Sequence, residues 1–409
     1  MAHLRNARNQ LFHMRNSTSN ESTQSDLSPV ILFLSTVFFY FFYQLAMQPS
    51  WVLGGEMWAE MATNYFPNAN SPSYLQKLFS TDGGYIPAPQ RLIAFIGNQL
   101  NLPAASIPYL YTWSAIISTG MMIGVFCLVQ FRTLVKSDTL RFLTAISILM
   151  VADFETRTFI NFTYFSAFFV AIVTALALVY DSEEVPWWAW FIPILMVSKP
   201  AVLAALPAMI LVAMVSKSRF RWVTICATTL CIGQIAKIVV SHNLNAIVGA
   251  NEIGFLSKSI VAIKYFFVLL GVYILGPNFQ IGKFLLMLTG FIFFLAGCFV
   301  FMKKKIDSGA LIFVGFSLLF FNVLLNSFVL SNDWNGGMTQ LATVPIYRSI
   351  IVGFFGSFLV VVGFFATLTE VNILKSKLSY IDKIGPVIFY YLVFCSWLAV
   401  ICRQYQRRA

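Results

Sequence analysis

The chain has 409 residues, 58% apolar and only 11% charged, with 42 Phe and a mean hydropathy of +0.77. So little polar surface cannot coat a soluble globule of this size, which excludes a water-soluble domain. The net charge of +11 comes from Lys and Arg clustered beside apolar runs rather than along a soluble basic face, so nucleic acid is excluded as a partner.

Repeated apolar runs of roughly 15 to 23 residues match helices crossing a hydrocarbon core about 30 Å thick, and no run alternates as an outer-membrane barrel strand would. The predicted fold is all-α: one polytopic membrane domain over residues 1–409. Residues 1–28, with Arg5, Arg8 and Arg15, read as a cytoplasmic tail. The span that follows is too long for a signal peptide and lacks a small-residue cleavage site, so it reads as a retained anchor. Eleven spans are expected, near 30–48, 108–130, 140–152, 160–180, 186–198, 201–215, 222–240, 284–302, 309–330, 346–368 and 384–401. Several are short, which membrane proteins tolerate where protein or water satisfies the backbone, and this points to a wet pocket near one face.

Between the first two spans lies the largest polar stretch, a loop at 49–107. It carries Glu56 and Glu60 in GGEMWAEMATNYF, four apart and on one face if helical, then Asp82 and Arg91 in TDGGYIPAPQR. A second polar constellation leaves the third span in ADFETRTFINFTYF, with Asp153, Glu155, Arg157 and Asn161. By themselves these are helix caps and surface ion pairs, but charge at membrane depth is costly and marks function when several groups converge. Lys199, in VSKPAVLAALP between two short spans, either snorkels to the interface or contacts phosphate. A late segment, SNDWNGGMTQLATVPIYRS, adds Asp333, Trp334 and Arg348. There a ring can stack on a sugar and an arginine can clamp phosphate, against the plainer reading of a turn with an anchoring Trp.

Orientation follows from the basic residues of the short loops. The N-terminal tail, Arg132 with Lys136 and Arg141, Lys217 with Arg219 and Arg221, Lys303 to Lys305, and Lys375 with Lys377 all agree if the N-terminus is cytoplasmic. The 49–107 loop is then periplasmic in a bacterial inner membrane. The segment 259–277 breaks this parity if it spans, so it is expected to be re-entrant or interfacial, at the cost of leaving the RQYQRRA tail outside. The cysteines form no CxxC pair, and His242 is the sole histidine outside the tail. A metal centre or a histidine triad is therefore not expected, and any base must be a carboxylate. No phosphate-binding glycine loop is present, so no nucleotide cofactor is expected and a donor should arrive within the membrane.

Taken together, GGEMWAEMATNYF, DGGYIPAPQR, ETRTFINFTYF, the SKP turn and PIYR resemble, by layout, bacterial GT-C type glycosyltransferases, closest to the phage-borne, serotype-converting O-antigen glucosyltransferases. The resemblance implies transfer of a sugar, glucose in that family, from an undecaprenyl-phosphate-linked donor to a lipid-linked O-antigen acceptor at the periplasmic face. It implies no cofactor, and dependence on a donor-making synthase and a flippase. It maps the family's first-loop base onto Glu56 or Glu60, and matches Asp82, Asp153 and Glu155 only loosely to its other acidic positions. Physically, a sugar hydroxyl needs a carboxylate to accept its proton, while cations offset the charge of the departing phosphate. Lys199, Arg348, Arg157 and Arg91 are the candidates for that second role. The alternatives are a flippase or transporter, whose polar groups would lie at broken helices near the midplane, and a polymerase of lipid-linked saccharides, expected to carry its large loop late in the chain.

Overall fold

The computed structural model describes residues 28–152, 154–180, 184–216, 218–240, 255–275, 283–303, 307–329 and 350–370. Among these, secondary structure is helical apart from one isolated bridge between Asp82 and Tyr85. The expected span at 384–401, and Asp153, Asp333, Trp334 and Arg348, lie outside the described residues.

In chain order the principal helices are α1 (Pro29–Met47), α2 (Ala88–Gln99), α3 (Ile107–Gly124), α4 (Asp138–Val151), α5 (Ser166–Val179) and α6 (Ile192–Met196). They continue with α7 (Leu206–Val215), α8 (Phe220–Val240), α9 (Phe255–Leu275), α10 (Lys283–Lys303), α11 (Gly309–Val329) and α12 (Ile350–Glu370). Proline at the first positions of α1, α2, α3, α6 and α7 costs no intrahelical hydrogen bond there and presets the helical φ.

Seven helical stretches among the described residues are long and apolar enough to cross a bilayer, which fits a multi-pass membrane protein. They coincide with seven of the expected spans, from 29–47 to 350–367. The expected span at 140–152 is the 14-residue α4, about 21 Å long and short of a hydrocarbon core. Its start is well determined. The Ser137 hydroxyl caps it by accepting from Leu140 N–H (3.2 Å), Asp138 sits in its first turn, and Arg132 grips that carboxylate with two donors (3.0 and 2.6 Å). Fully buried Arg141 binds the same carboxylate and the Val135 carbonyl.

The two expected spans at 186–198 and 201–215 form a single bent unit, Trp187–Met196 and Pro200–Val215, broken by 119°. Lys199 stands at the break. The segment expected to be re-entrant or interfacial, 259–277, lies up to residue 275 on the unbroken 21-residue α9, about 31 Å long, which is not among the seven stretches above. It packs antiparallel to α10, where Gly271 meets the Leu286 backbone and Gly290 the Phe267 backbone. Any side chain at either glycine would collide with the facing carbonyl, so the hairpin depends on both.

Candidate active site

The 49–107 loop folds back onto the helical bundle through backbone contacts. Asp82 and Tyr85 exchange N–H···O bonds (2.7 and 3.3 Å) across Gly83 and Gly84. Their φ angles of 57° and 89° are those of a two-residue primed hairpin turn, which glycine adopts without a Cβ penalty. The next residue is clamped by α8: Gln234 Oε1 accepts from Ile86 N–H (3.1 Å), and its amide donates to Ile86 O (3.3 Å) and Ser198 O (3.0 Å). Ala88 N–H then donates to Val197 O (3.0 Å). One glutamine thus ties the DGGYI turn to the bend that carries Lys199.

Around this junction several predicted residues come together. The Lys199 ammonium lies over the rings of Tyr85 (5.2 Å) and Tyr164 (5.8 Å), a cation–π arrangement in a site where Lys199 is only 9% exposed. The Asp82 carboxylate accepts from Asn64 Nδ2 (3.0 Å). Buried Arg91 donates to Lys77 O (2.9 Å). Tyr65 and Tyr85 both feel the charges of Glu60, Asp82 and Arg91. Burial, helped by the two carboxylates, pushes both phenols well above the usual tyrosine range, so each remains a neutral hydroxyl. Burial also lowers the proton affinity of Arg91, while Tyr65, Asp82 and Tyr85 offset the effect. Arg91 Nε and the Tyr65 hydroxyl, both buried, have no hydrogen-bond partner among the described residues.

Glu56 and Glu60 do not share a helix face. Residues 55–58 are irregular, between Gly55 (φ 64°) and Ala59 (φ 46°), and helical structure resumes only at Glu60, which leads into the single π-turn Met61–Tyr65. Gly54 and Gly55 end the preceding helix, Pro49–Gly54, whose last carbonyls are capped by Tyr109 Oη on Leu53 (3.2 Å) and Trp113 Nε1 on Val52 (3.1 Å). Glu56 is consequently exposed, whereas Glu60 is half-buried beside the tyrosines.

The constellation after the third expected span is built differently. Arg157 donates to Tyr43 Oη (3.0 Å) and Met150 O (3.1 Å) and lies over the Tyr43 ring (4.8 Å), so it locks α1 to the end of α4. Asn161 Nδ2 donates to the Glu155 carbonyl (3.0 Å), closing a local turn. Phe159, between them, stacks on Tyr111 (4.4 Å) and meets Tyr65 edge-on (5.7 Å). Tyr65, Tyr85, Tyr164 and Gln234 were not singled out by the sequence. Their only local signal is the position of Tyr85 directly after a Gly-Gly turn.

No family model, no curated protein and no solved structure matches this chain.

Proposed function

We propose that this chain is a membrane glycosyltransferase of GT-C type that moves a sugar, glucose by the resemblance stated above, from a polyprenyl-phosphate carrier to a lipid-linked saccharide at the periplasmic face of the inner membrane. The observation that carries the proposal is the convergence of Glu60, Asp82 and Arg91 from the large loop with Lys199 from the bent pair, all grouped around Tyr85. A base and a phosphate-binding cation are the two things the transfer requires. Glu60 is the base in this reading, taking the acceptor hydroxyl's proton as the anomeric carbon is attacked. Lys199 and Arg91 hold the lipid phosphate and offset the charge that it gains on leaving, while the open Tyr65 hydroxyl supplies a neutral donor. Asp82, held by Asn64, balances the cations.

The test is structural analysis of surface polysaccharide from cells with and without the protein, paired with a purified assay of lipid-phosphate-sugar use. The expected result is an added sugar in the first and consumption of the donor in the second. Lys199→Met should abolish donor use at limiting donor concentration while the protein still inserts and folds. An unchanged polysaccharide under good expression, or a fully active Lys199→Met protein, overturns the proposal.

A further inference from the structure

A separate cavity of about 270 Å³ lies between α2 and the start of α3. Carboxamides of Asn70, Asn98 and Asn101 line it, with the rings of Phe66 and Tyr111 and the side chain of Ile107. Asn70 Nδ2 donates to Phe66 O (2.9 Å), which fixes that amide and leaves its oxygen as an acceptor. Asn101 adopts φ 50°, a left-handed conformation that Asn tolerates. It turns the chain at the end of α2 so that Asn98 and Asn101 line the same cavity.

The lining decides the chemistry of the ligand. No carboxylate, cation, histidine or cysteine faces the cavity, so a phosphate or a metal ion would find no partner there. A lipid chain would strip water from three amides and give nothing in exchange. Amides donate and accept, as sugar hydroxyls do, and the aromatic rings suit the C–H face of a pyranose. The volume equals roughly nine waters at about 30 Å³ each, room for a single ring. The wall shares Ala69 and Ala94 with the surroundings of Arg91 and Tyr65, and Tyr111 reaches Tyr65 through Phe159. The cavity is therefore one side-chain layer from the cluster.

We propose that this cavity binds one neutral sugar ring, a unit of the acceptor saccharide other than the one that receives the new bond. Its assignment to the acceptor rests on the transfer proposed above, whereas binding of a neutral saccharide does not. The full chain in detergent would be titrated with the methyl glycosides of glucose, galactose and mannose, and with glucose 1-phosphate, and followed by saturation-transfer NMR. At least one neutral glycoside should bind, and more tightly than the phosphate. Asn98→Ala and Asn101→Gly should each weaken binding about tenfold, the worth of one lost hydrogen bond. Glycine suits φ 50°, so Asn101→Gly removes the amide without a folding penalty, and equal thermal stability would confirm this. Failure of all three glycosides to bind, or binding that survives both substitutions, overturns the site. Binding that behaves as expected in cells whose polysaccharide is unaltered would sink the transfer reading and leave the site standing.

Discussion

Glu56 and Glu60 are chemically identical and four residues apart, yet their surroundings give them different expected roles. Glu60 sits beside Tyr65 and Tyr85, and Glu56 faces solvent. Glu60→Gln keeps the shape and removes the basicity, so it should cost on the order of 100-fold or more in transfer rate, while Glu56→Gln should stay near wild type in the same purified assay. If both variants are near wild type, the base is elsewhere and Asp82 is next to be replaced. The tyrosines carry a pH signature. An unfolded tyrosine ionises near pH 10, and Tyr65 and Tyr85 hold their protons to higher pH when folded. The folded state then binds more protons in alkali, so this stabilisation is whole below about pH 10 and is lost as pH rises through the folded values. The Tyr65→Phe/Tyr85→Phe double variant should flatten the alkaline limb of stability against pH, and an unchanged limb would show that other groups set it. The carboxylates were legible because acidic groups in so apolar a chain are few. Their separation was not, because it depends on Gly55 and Ala59 adopting positive φ, which spacing does not reveal.

Among the elements, the long apolar helices are legible because a run of some 20 apolar residues has one stable outcome in a bilayer. The bent pair is half legible: its two short runs were visible, but their joining at Lys199 depends on contacts made far along the chain. Gln234 shows why, since it lies 148 residues from Ile86 and reads in sequence as one polar residue in an apolar helix. Gln234→Leu would leave Ile86 N–H, Ile86 C=O and Ser198 C=O without their partner, at about 1–3 kcal/mol for each buried group that water cannot reach. The expected result is a lower unfolding temperature and faster proteolysis at the DGGY turn, with α8 still inserted. Unchanged protease resistance would mean that the turn is held by the Ala88–Val197 bond and its packing alone.

For the whole molecule, the packing of α9 to α12 constrains topology more tightly than charge counting does. α11 and α12 are antiparallel: Ser308 meets Thr367 (2.7 Å) at one end, and Gly353 packs on Asn322 toward the other. α10 is antiparallel to α11, with Phe294 against Phe316 and Phe301 against Phe313. α9 runs parallel to α11, with Phe266 between Phe316 and Phe320 and Leu269 beside Gly353. The start of α9, the end of α10, the start of α11 and the end of α12 therefore share one end of this group, and the end of α9 and the start of α12 share the other. In the sequence Lys303 to Lys305 follow α10 and Lys375 with Lys377 follow α12, and the positive-inside rule expects such basic clusters at the cytoplasmic face. Reporter fusions near residue 70 should score outside and those near 218 and 304 inside, a pattern that requires α9 not to cross the membrane once α8 does. Residue 304 outside would show instead that α8 and α9 both cross, with the packing of α9 against α11 kept and the start of α9 on the outer side.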